Sequence, residues 1–255
     1  HINHRKTELL INAINIFFYF IINTVMTVLS ILYEKWGLEY KTENIIAVSN
    51  SVKNNLIRKF SVNPRNITII PHFIENDAAN NNLLISNEIP ILFSAGRFHP
   101  EKNYLVLLKA VGLLPEYKIK IILVGEGVEK DMYNNFAINN NIALEIVEPK
   151  YNLNELFNRA RICILPSTVD PFPHFMLESG IHCKPFIGSD IDGMSELIKN
   201  EENGLLFQSN NHYELASKIK LFLDNPKLSN KCAGNLHDQI LTNYSPEKIV
   251  KEIEN

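Results

Sequence analysis

Two carboxylates, Asp170 and Glu178, stand eight positions apart in the run Ser-Thr-Val-Asp-Pro-Phe-Pro-His-Phe-Met-Leu-Glu that begins at Ser167. The apolar run Ile162-Cys163-Ile164-Leu165 ahead of them reads as a buried strand, and Phe175 to His182 reads as a helix. The first acid therefore falls in the loop leaving the strand, and the second about one turn into the helix. A loop at the carboxyl end of a parallel strand, feeding a helix N-terminus, is where α/β proteins hold anions. An acid there repels the anion unless its own task is neutral, such as holding sugar hydroxyls. Anion and hydroxyls together point to a nucleotide sugar.

A second cluster, Gly96-Arg97-Phe98-His99-Pro100-Glu101-Lys102, follows the strand Ile91 to Ala95. Gly96 lets the backbone turn closely, and Arg97 and Lys102 bring two cations to one strand end. A departing diphosphate needs such charge, because negative charge grows on it as the bond to the sugar breaks. Arginine can hold phosphate oxygens bidentately, whereas lysine acts as a point charge. A solvated basic pair in a loop is the plain alternative. Glu178 has its own plain alternative, an exposed helix glutamate, and His174 that of a capping or solvent-facing residue. Gly125-Glu126-Gly127 begins like a dinucleotide fingerprint, but Lys130 stands where the third glycine belongs, so a tight strand-to-helix turn explains it equally well.

The elements that must position these residues alternate regularly. Strands are expected at Ile91 to Ala95, Lys120 to Val124, Ala143 to Val147, Ile162 to Leu165 and Pro185 to Gly188. Helices are expected at Tyr104 to Leu114, Val128 to Asn139, Leu153 to Ala160 and Phe175 to His182, with Tyr213 to Leu223 and Leu228 to Leu241 closing the chain. Near-continuous apolar strands alternating with helices predict an α/β fold, a Rossmann-like parallel sheet with helices on both faces. Upstream, Ile45 to Val48 and Ile67 to Ile70 read as strands around a helix over Val52 to Phe60, with Ser51 as its N-cap. Residues 9–32 carry no charged side chain and are expected to be an apolar helix. Asn12, Asn15, Asn23, Thr24, Thr27 and Ser30 interrupt it, so a buried helix, peripheral membrane contact and a true span all stay open. The Asn-rich segment from Glu75 to Glu88 reads as a linker, and a boundary near Pro71 separates residues 1–71 from 72–255.

Composition narrows the function classes. The 25 basic and 28 acidic residues leave a net charge of -3, with no basic run, so nucleic acid is not an expected partner. Three widely spaced cysteines, Cys163, Cys183 and Cys232, fit reduced thiols in a cytoplasmic protein, which peripheral contact through residues 9–32 would hold to the cytoplasmic face of a membrane. The eight histidines form no group with ligand spacing, and no metal site is expected. The chain begins at His1 rather than Met, which reads as a fragment with an upstream part missing.

In order and spacing these pieces resemble the C-terminal half of the GT-B glycosyltransferases of family 4, the large retaining group. Ser94-Ala95-Gly96-Arg97 with Glu101-Lys102-Asn103 is similar to the family's Gly-Arg…Glu-Lys-Gly element. Leu123 to Gly127 resembles its second strand turn, Asp170 to Glu178 its Glu-x7-Glu motif, and Asn203 to Phe207 its closing strand. The Ile45 to Ser49 strand with Ile67 to Pro71 resembles the end of the N-terminal domain, and Tyr244-Ser245 the pair before the final helix. Residues 1–71 are then a remnant of the acceptor-side domain, and 72–255 the donor domain.

The resemblance implies that Arg97 and Lys102 bind the donor diphosphate and that Glu178 holds the nucleotide ribose. Asp170 and the backbone N–H groups of Phe172, Pro173's neighbour His174 and Phe175 would face the donor sugar and phosphate, with Gly96 and Gly125 giving the backbone close approach. It implies a nucleoside-diphosphate sugar as donor, a glycan or lipid-linked acceptor, retention by front-face attack, no metal, and a role in polysaccharide or glycoconjugate synthesis. The chain departs from the pattern where Asp170 shortens the first acid, Pro171 replaces a common glycine, and Cys183 stands where glycine is usual. Two rival readings use the same residues: a nucleotide-sugar binding module without turnover, and an epimerase on the same scaffold.

Overall fold

A computed structural model describes residues 25–28, 44–75, 89–149 and 153–254. Among the described residues two parallel sheets form. The first holds β1 (Val25–Val28), β2 (Asn44–Ala47) and β3 (Ile67–Ile69) in that order. The second has the order β6-β5-β4-β7-β8-β9, built from β4 (Ile91–Ala95), β5 (Lys120–Val124), β6 (Ala143–Val147), β7 (Ile162–Leu165), β8 (Phe186–Ser189) and β9 (Leu205–Phe207). This is the doubly wound arrangement. The chain reverses direction across the sheet between β4 and β7, and ligands of such folds bind outside the carboxyl ends at that reversal.

The helices are α1 (Asn50–Phe60), α2 (Tyr104–Gly112), α3 (Lys130–Asn139), α4 (Leu153–Arg159), α5 (His174–Ile181), α6 (Asp192–Ser195), α7 (His212–Asp224), α8 (Pro226–Asn243) and α9 (Pro246–Glu254). Strand alternation sorts them into two layers. Phe93, Ile122, Cys163 and Leu165 share a buried cluster with α4, α5 and the Leu236–Ile240 turn of α8. Their neighbours Leu92, Ile121, Ile162 and Ile164 face the opposite cluster with α2, α3 and α7. Continuous apolar strands are what a sheet covered on both faces requires. The first cluster continues into Ile45, Val48, Val52 and Leu56, so one core joins the second sheet to β2 and α1.

A side chain also clasps the two parts. Glu196, just beyond α6, accepts hydrogen bonds from the backbone N–H groups of Asn50 (2.9 Å) and Ser51 (3.0 Å) and from Asn50 Nδ2 (3.0 Å). A carboxylate at a helix N-terminus satisfies N–H groups that have no partner within the helix and meets the positive end of its dipole. Replacing Glu196 with alanine is expected to cost about 0.5–2 kcal/mol, as loss of an N-cap does. Thermal unfolding would read the change, and an unaltered midpoint would contradict the clasp.

Several expectations need correction. Within the helix expected over residues 9–32, Val25–Val28 is a strand paired in parallel with β2; the rest of that stretch lies outside the described residues. Two valines and a threonine favour an extended backbone, and β2 offers them ladder partners. The N-cap of α1 is Ser49, whose Oγ accepts from Val52 N–H, while Ser51 Oγ pairs with Ser49 Oγ at 2.8 Å. Helix α9 begins directly after Tyr244-Ser245, where the resemblance expects the final helix, and the short α6 lies within the Asp190 to Glu196 loop. Ile249 of α9 packs with Ile46 and Ile70 of the first part. Cys183 takes a left-handed φ of 51°, a conformation that favours glycine. No helix among the described residues is long and apolar enough to cross a membrane.

Candidate donor-binding site

The loops leaving β4 and β7 are tied to each other by backbone. Thr168 donates to the Glu101 carbonyl from its N–H (2.8 Å) and from its Oγ1 (3.3 Å). That tie carries Lys102 to Asp170, 68 residues away in sequence, where Nζ and Oδ2 are 2.5 Å apart and the side chains are only 19% and 11% exposed. Ser167 Oγ also donates to Asp170 Oδ2, at 3.4 Å. Arg97 differs sharply. Its side chain is 77% exposed and, among the described residues, pairs with Glu101 at 3.4 Å. Lys102 is thus a largely shielded cation and Arg97 a largely exposed one.

These residues line a cavity of about 430 Å³ at the β4/β7 reversal. Its walls include Gly96, Arg97, Lys102, Asp170, the Phe172–Phe175 segment at the start of α5, and Glu178. Glu178 is partly buried, and burial raises its carboxyl above the usual range. Its carboxylate has no hydrogen-bond or ion-pair partner among the described residues. A half-buried carboxylate without donors is costly unless a ligand supplies them. A β-carbon on Gly96 would fall 2.8 Å from Tyr104 Oη, so glycine there admits the Tyr104 ring behind the cavity floor.

Gly125 does not line the cavity. A β-carbon on it would lie 2.0 Å from the Gly96 carbonyl oxygen, and one on Gly127 would lie 2.4 Å from that of Phe98. Phe98 N–H donates to Glu126 O at 2.7 Å. The Gly-x-Gly turn therefore lets the loops after β4 and β5 lie against each other, and Gly125 supports Gly96 from below.

Sequence reasoning missed three contributors. His72, one residue past Pro71, lines the cavity, and its ring lies 4.2 Å from that of His174. Gly193 packs beneath the Asp170-Pro171 peptide, and Glu196 clasps α1. The Asp190 to Glu196 stretch reads in sequence only as a loop and helix cap, because its partners are distant in the chain. A second cavity, of about 550 Å³, adjoins the first and shares Asp170 and Pro171 with it. Its other walls are the polar side of α1 (Ser51, Asn54, Arg58) and the Asp190–Gly193 loop.

Comparison with known proteins adds to this geometry. The profile of the family described as glycosyl transferases group 1 matches residues 75–238. The chain belongs to the glycosyl transferases group 1 family. Its match spans β4 to most of α8, so both loops that line the cavity at the β4/β7 reversal fall within the family region. An uncharacterized glycosyltransferase of Methanocaldococcus jannaschii is 27% identical over 223 residues, 85% of this chain and 60% of the relative. The Escherichia coli UDP-Gal:alpha-D-GlcNAc-diphosphoundecaprenol alpha-1,3-galactosyltransferase is 23% identical, over 83% of this chain and 59% of its own length. The chain thus spans about 60% of the curated relatives it matches. Among solved structures, the HepE protein of Anabaena in complex with UDP-glucose superposes with a TM-score of 0.82 at 16% identity, covering 96% of this chain and 74% of that one. A Rickettsia africae glycosyltransferase gives 0.81 at 17% identity, covering 98% and 79%. The fold of this group 1 chain is that of GT-B glycosyltransferases.

Proposed function

We propose that the cavity binds a nucleoside-diphosphate sugar and that the protein is a retaining glycosyltransferase of family 4, transferring a hexose to a glycan or lipid-linked acceptor. The carrying observation is the pairing, across one cavity at the sheet reversal, of the unpartnered carboxylate of Glu178 with the cation of Lys102. A nucleotide satisfies both: its ribose hydroxyls donate to Glu178, and its diphosphate meets Lys102, Arg97 and the N-terminal end of α5. The Escherichia coli relative, named for UDP-Gal and a diphosphoundecaprenol-linked acceptor, and a Campylobacter jejuni N-acetylgalactosaminyltransferase named for a diphospho-undecaprenol-linked acceptor support this reading by likeness.

In this reading the bond from the sugar C1 to the diphosphate oxygen breaks while Lys102 and Arg97 stabilise the growing charge. The acceptor hydroxyl attacks from the same face, and its proton passes to the leaving phosphate oxygen. Asp170 lies where the two cavities meet. In this reading its carboxylate orients the donor sugar, and the α1 side of the second cavity receives the acceptor. The first sheet then belongs to the acceptor lobe, and residues 72–255 form the donor lobe. No metal takes part, and polysaccharide or glycoconjugate synthesis at the cytoplasmic side is the setting.

The test has two arms. Changing Glu178 to alanine is expected to weaken UDP or GDP binding by about 1.5–3 kcal/mol, the range for hydrogen bonds to a charged group, while leaving inorganic pyrophosphate binding nearly unaltered. Equal losses for both would remove the ribose assignment. Incubation with a panel of nucleotide sugars and lipid-linked acceptors should yield a product that keeps the donor's anomeric configuration. An inverted product contradicts retention, a new nucleotide sugar formed without acceptor indicates the epimerase, and saturable binding with no turnover indicates the binding module.

A further inference from the structure

The donor cavity contains two imidazoles that the assignment above leaves without a task. His72 enters from the segment after β3, and His174 is the first residue of α5. Their rings lie 4.2 Å apart at 33°, with Phe172 against His72 at 6.3 Å. Neither ring has a hydrogen-bond partner among the described residues. We propose that His72 and His174 form a proton-taking wall of the diphosphate site: one imidazole gains a proton as the donor binds and becomes a third cation beside Lys102 and Arg97. The proposal rests on the nucleoside-diphosphate reading and goes further, by making donor affinity depend on pH.

The argument follows the charges that face the rings. Arg97 and Lys102 line the same cavity, as do Asp170 and Glu178, and the Tyr244 ring lies behind Phe172. In the unliganded site burial, and then the charge of His174, push His72 down to about 4. Burial also lowers His174, with Asp170 opposing. Tyr244 is pushed further up by burial and stays neutral. Near neutral pH both rings are therefore uncharged, and a proton on either would face the other ring and the positive end of a helix. A dianionic diphosphate reverses that field. An opposite charge within ~4–6 Å raises such a group by about 1–3 pH units, enough to bring His72 from its empty-state value into the range of pH 5 to 7. The same field acts on His174, whose lowering by burial Asp170 already opposes.

The sign follows from linkage. A ligand that binds with proton uptake binds more tightly as pH falls, by at most about tenfold per pH unit for one proton. UDP-glucose suits the measurement because its diphosphate is a diester and does not titrate between pH 6 and 8; GDP-mannose is the second probe. Titration calorimetry of the full chain in buffers of different ionisation enthalpy should show fractional proton uptake at pH 6.5. Affinity should rise about threefold to tenfold from pH 8 to pH 6. The double variant His72→Asn/His174→Asn should lose both effects. Binding by the wild-type chain without proton uptake overturns the proposal, and so does uptake that survives in the double variant, which would place the proton on Glu178. Absence of saturable binding of either probe overturns the donor reading itself, and this proposal with it. NMR titration of the two imidazoles in the wild-type chain covers a variant that does not fold. Midpoints raised by UDP-glucose support the proposal, and unmoved midpoints overturn it.

Discussion

Replacing Lys102 with alanine is expected to weaken nucleoside-diphosphate binding by about 1.5–3 kcal/mol, roughly ten- to 150-fold in Kd. The effect exceeds that of Arg97→Ala because the two cations are held differently. Lys102 is 19% exposed and fixed against Asp170, whereas Arg97 is 77% exposed and has to be gathered from solvent. Screening and side-chain entropy both discount the exposed group. Asp170→Asn should act in the opposite sense on binding. It removes the anion that shares Lys102 with the incoming phosphate, so nucleotide affinity should hold or rise, while sugar transfer falls. Calorimetry with UDP and GDP on the three variants reads this ordering. Equal affinities in the wild-type and Lys102→Ala chains would exclude Lys102 from the site.

Gly193→Ala is the second large effect, and it acts through backbone. A β-carbon there would fall 2.0 Å from the Asp170 carbonyl oxygen and 2.3 Å from that of Pro171. Backbone atoms cannot swing aside as a side-chain tip can, so the loop carrying Asp170 must shift. Overpacking of this kind costs about 1–3 kcal/mol or somewhat more. Both the unfolding midpoint and nucleotide affinity should drop together. Gly234→Ala in α8 serves as the contrast, since a β-carbon there meets nothing within 4 Å. Alanine in that helix interior should stabilise by about 0.5–1 kcal/mol with no change in binding. A Gly193→Ala chain as stable as the parent, and with equal affinity, would contradict the described packing.

What the sequence disclosed, and what it withheld, follows from the range of the interactions involved. Strands β4, β5, β6 and β7 match their expected bounds because each is a short, mostly apolar run set off by polar residues or proline, a local signal that Ser94, Lys120 and Glu145 do not mask. Helix ends moved by a residue or two because caps decide them, as when Ser49 rather than Ser51 begins α1. β1 was hidden inside an apolar stretch long enough for a helix, and only its pairing with β2 fixes it as a strand. The carboxylates, Arg97 and Lys102 were legible as types at strand ends. The 2.5 Å contact of Lys102 with Asp170 was not, since it depends on a backbone tie between loops 67 residues apart. Gly125 was read as a ligand contact but packs on Gly96, because a glycine gives the same signal for close approach to a ligand and to another loop. His72, Gly193 and Glu196 matter only through what the fold brings beside them.

The most direct test of the donor-site assignment is a crystal structure of this chain with UDP or GDP bound. The predicted result places the diphosphate between Lys102, Arg97 and the start of α5, with both ribose hydroxyls on the Glu178 carboxylate. Density for the nucleotide elsewhere, with Glu178 still unpartnered, would contradict it.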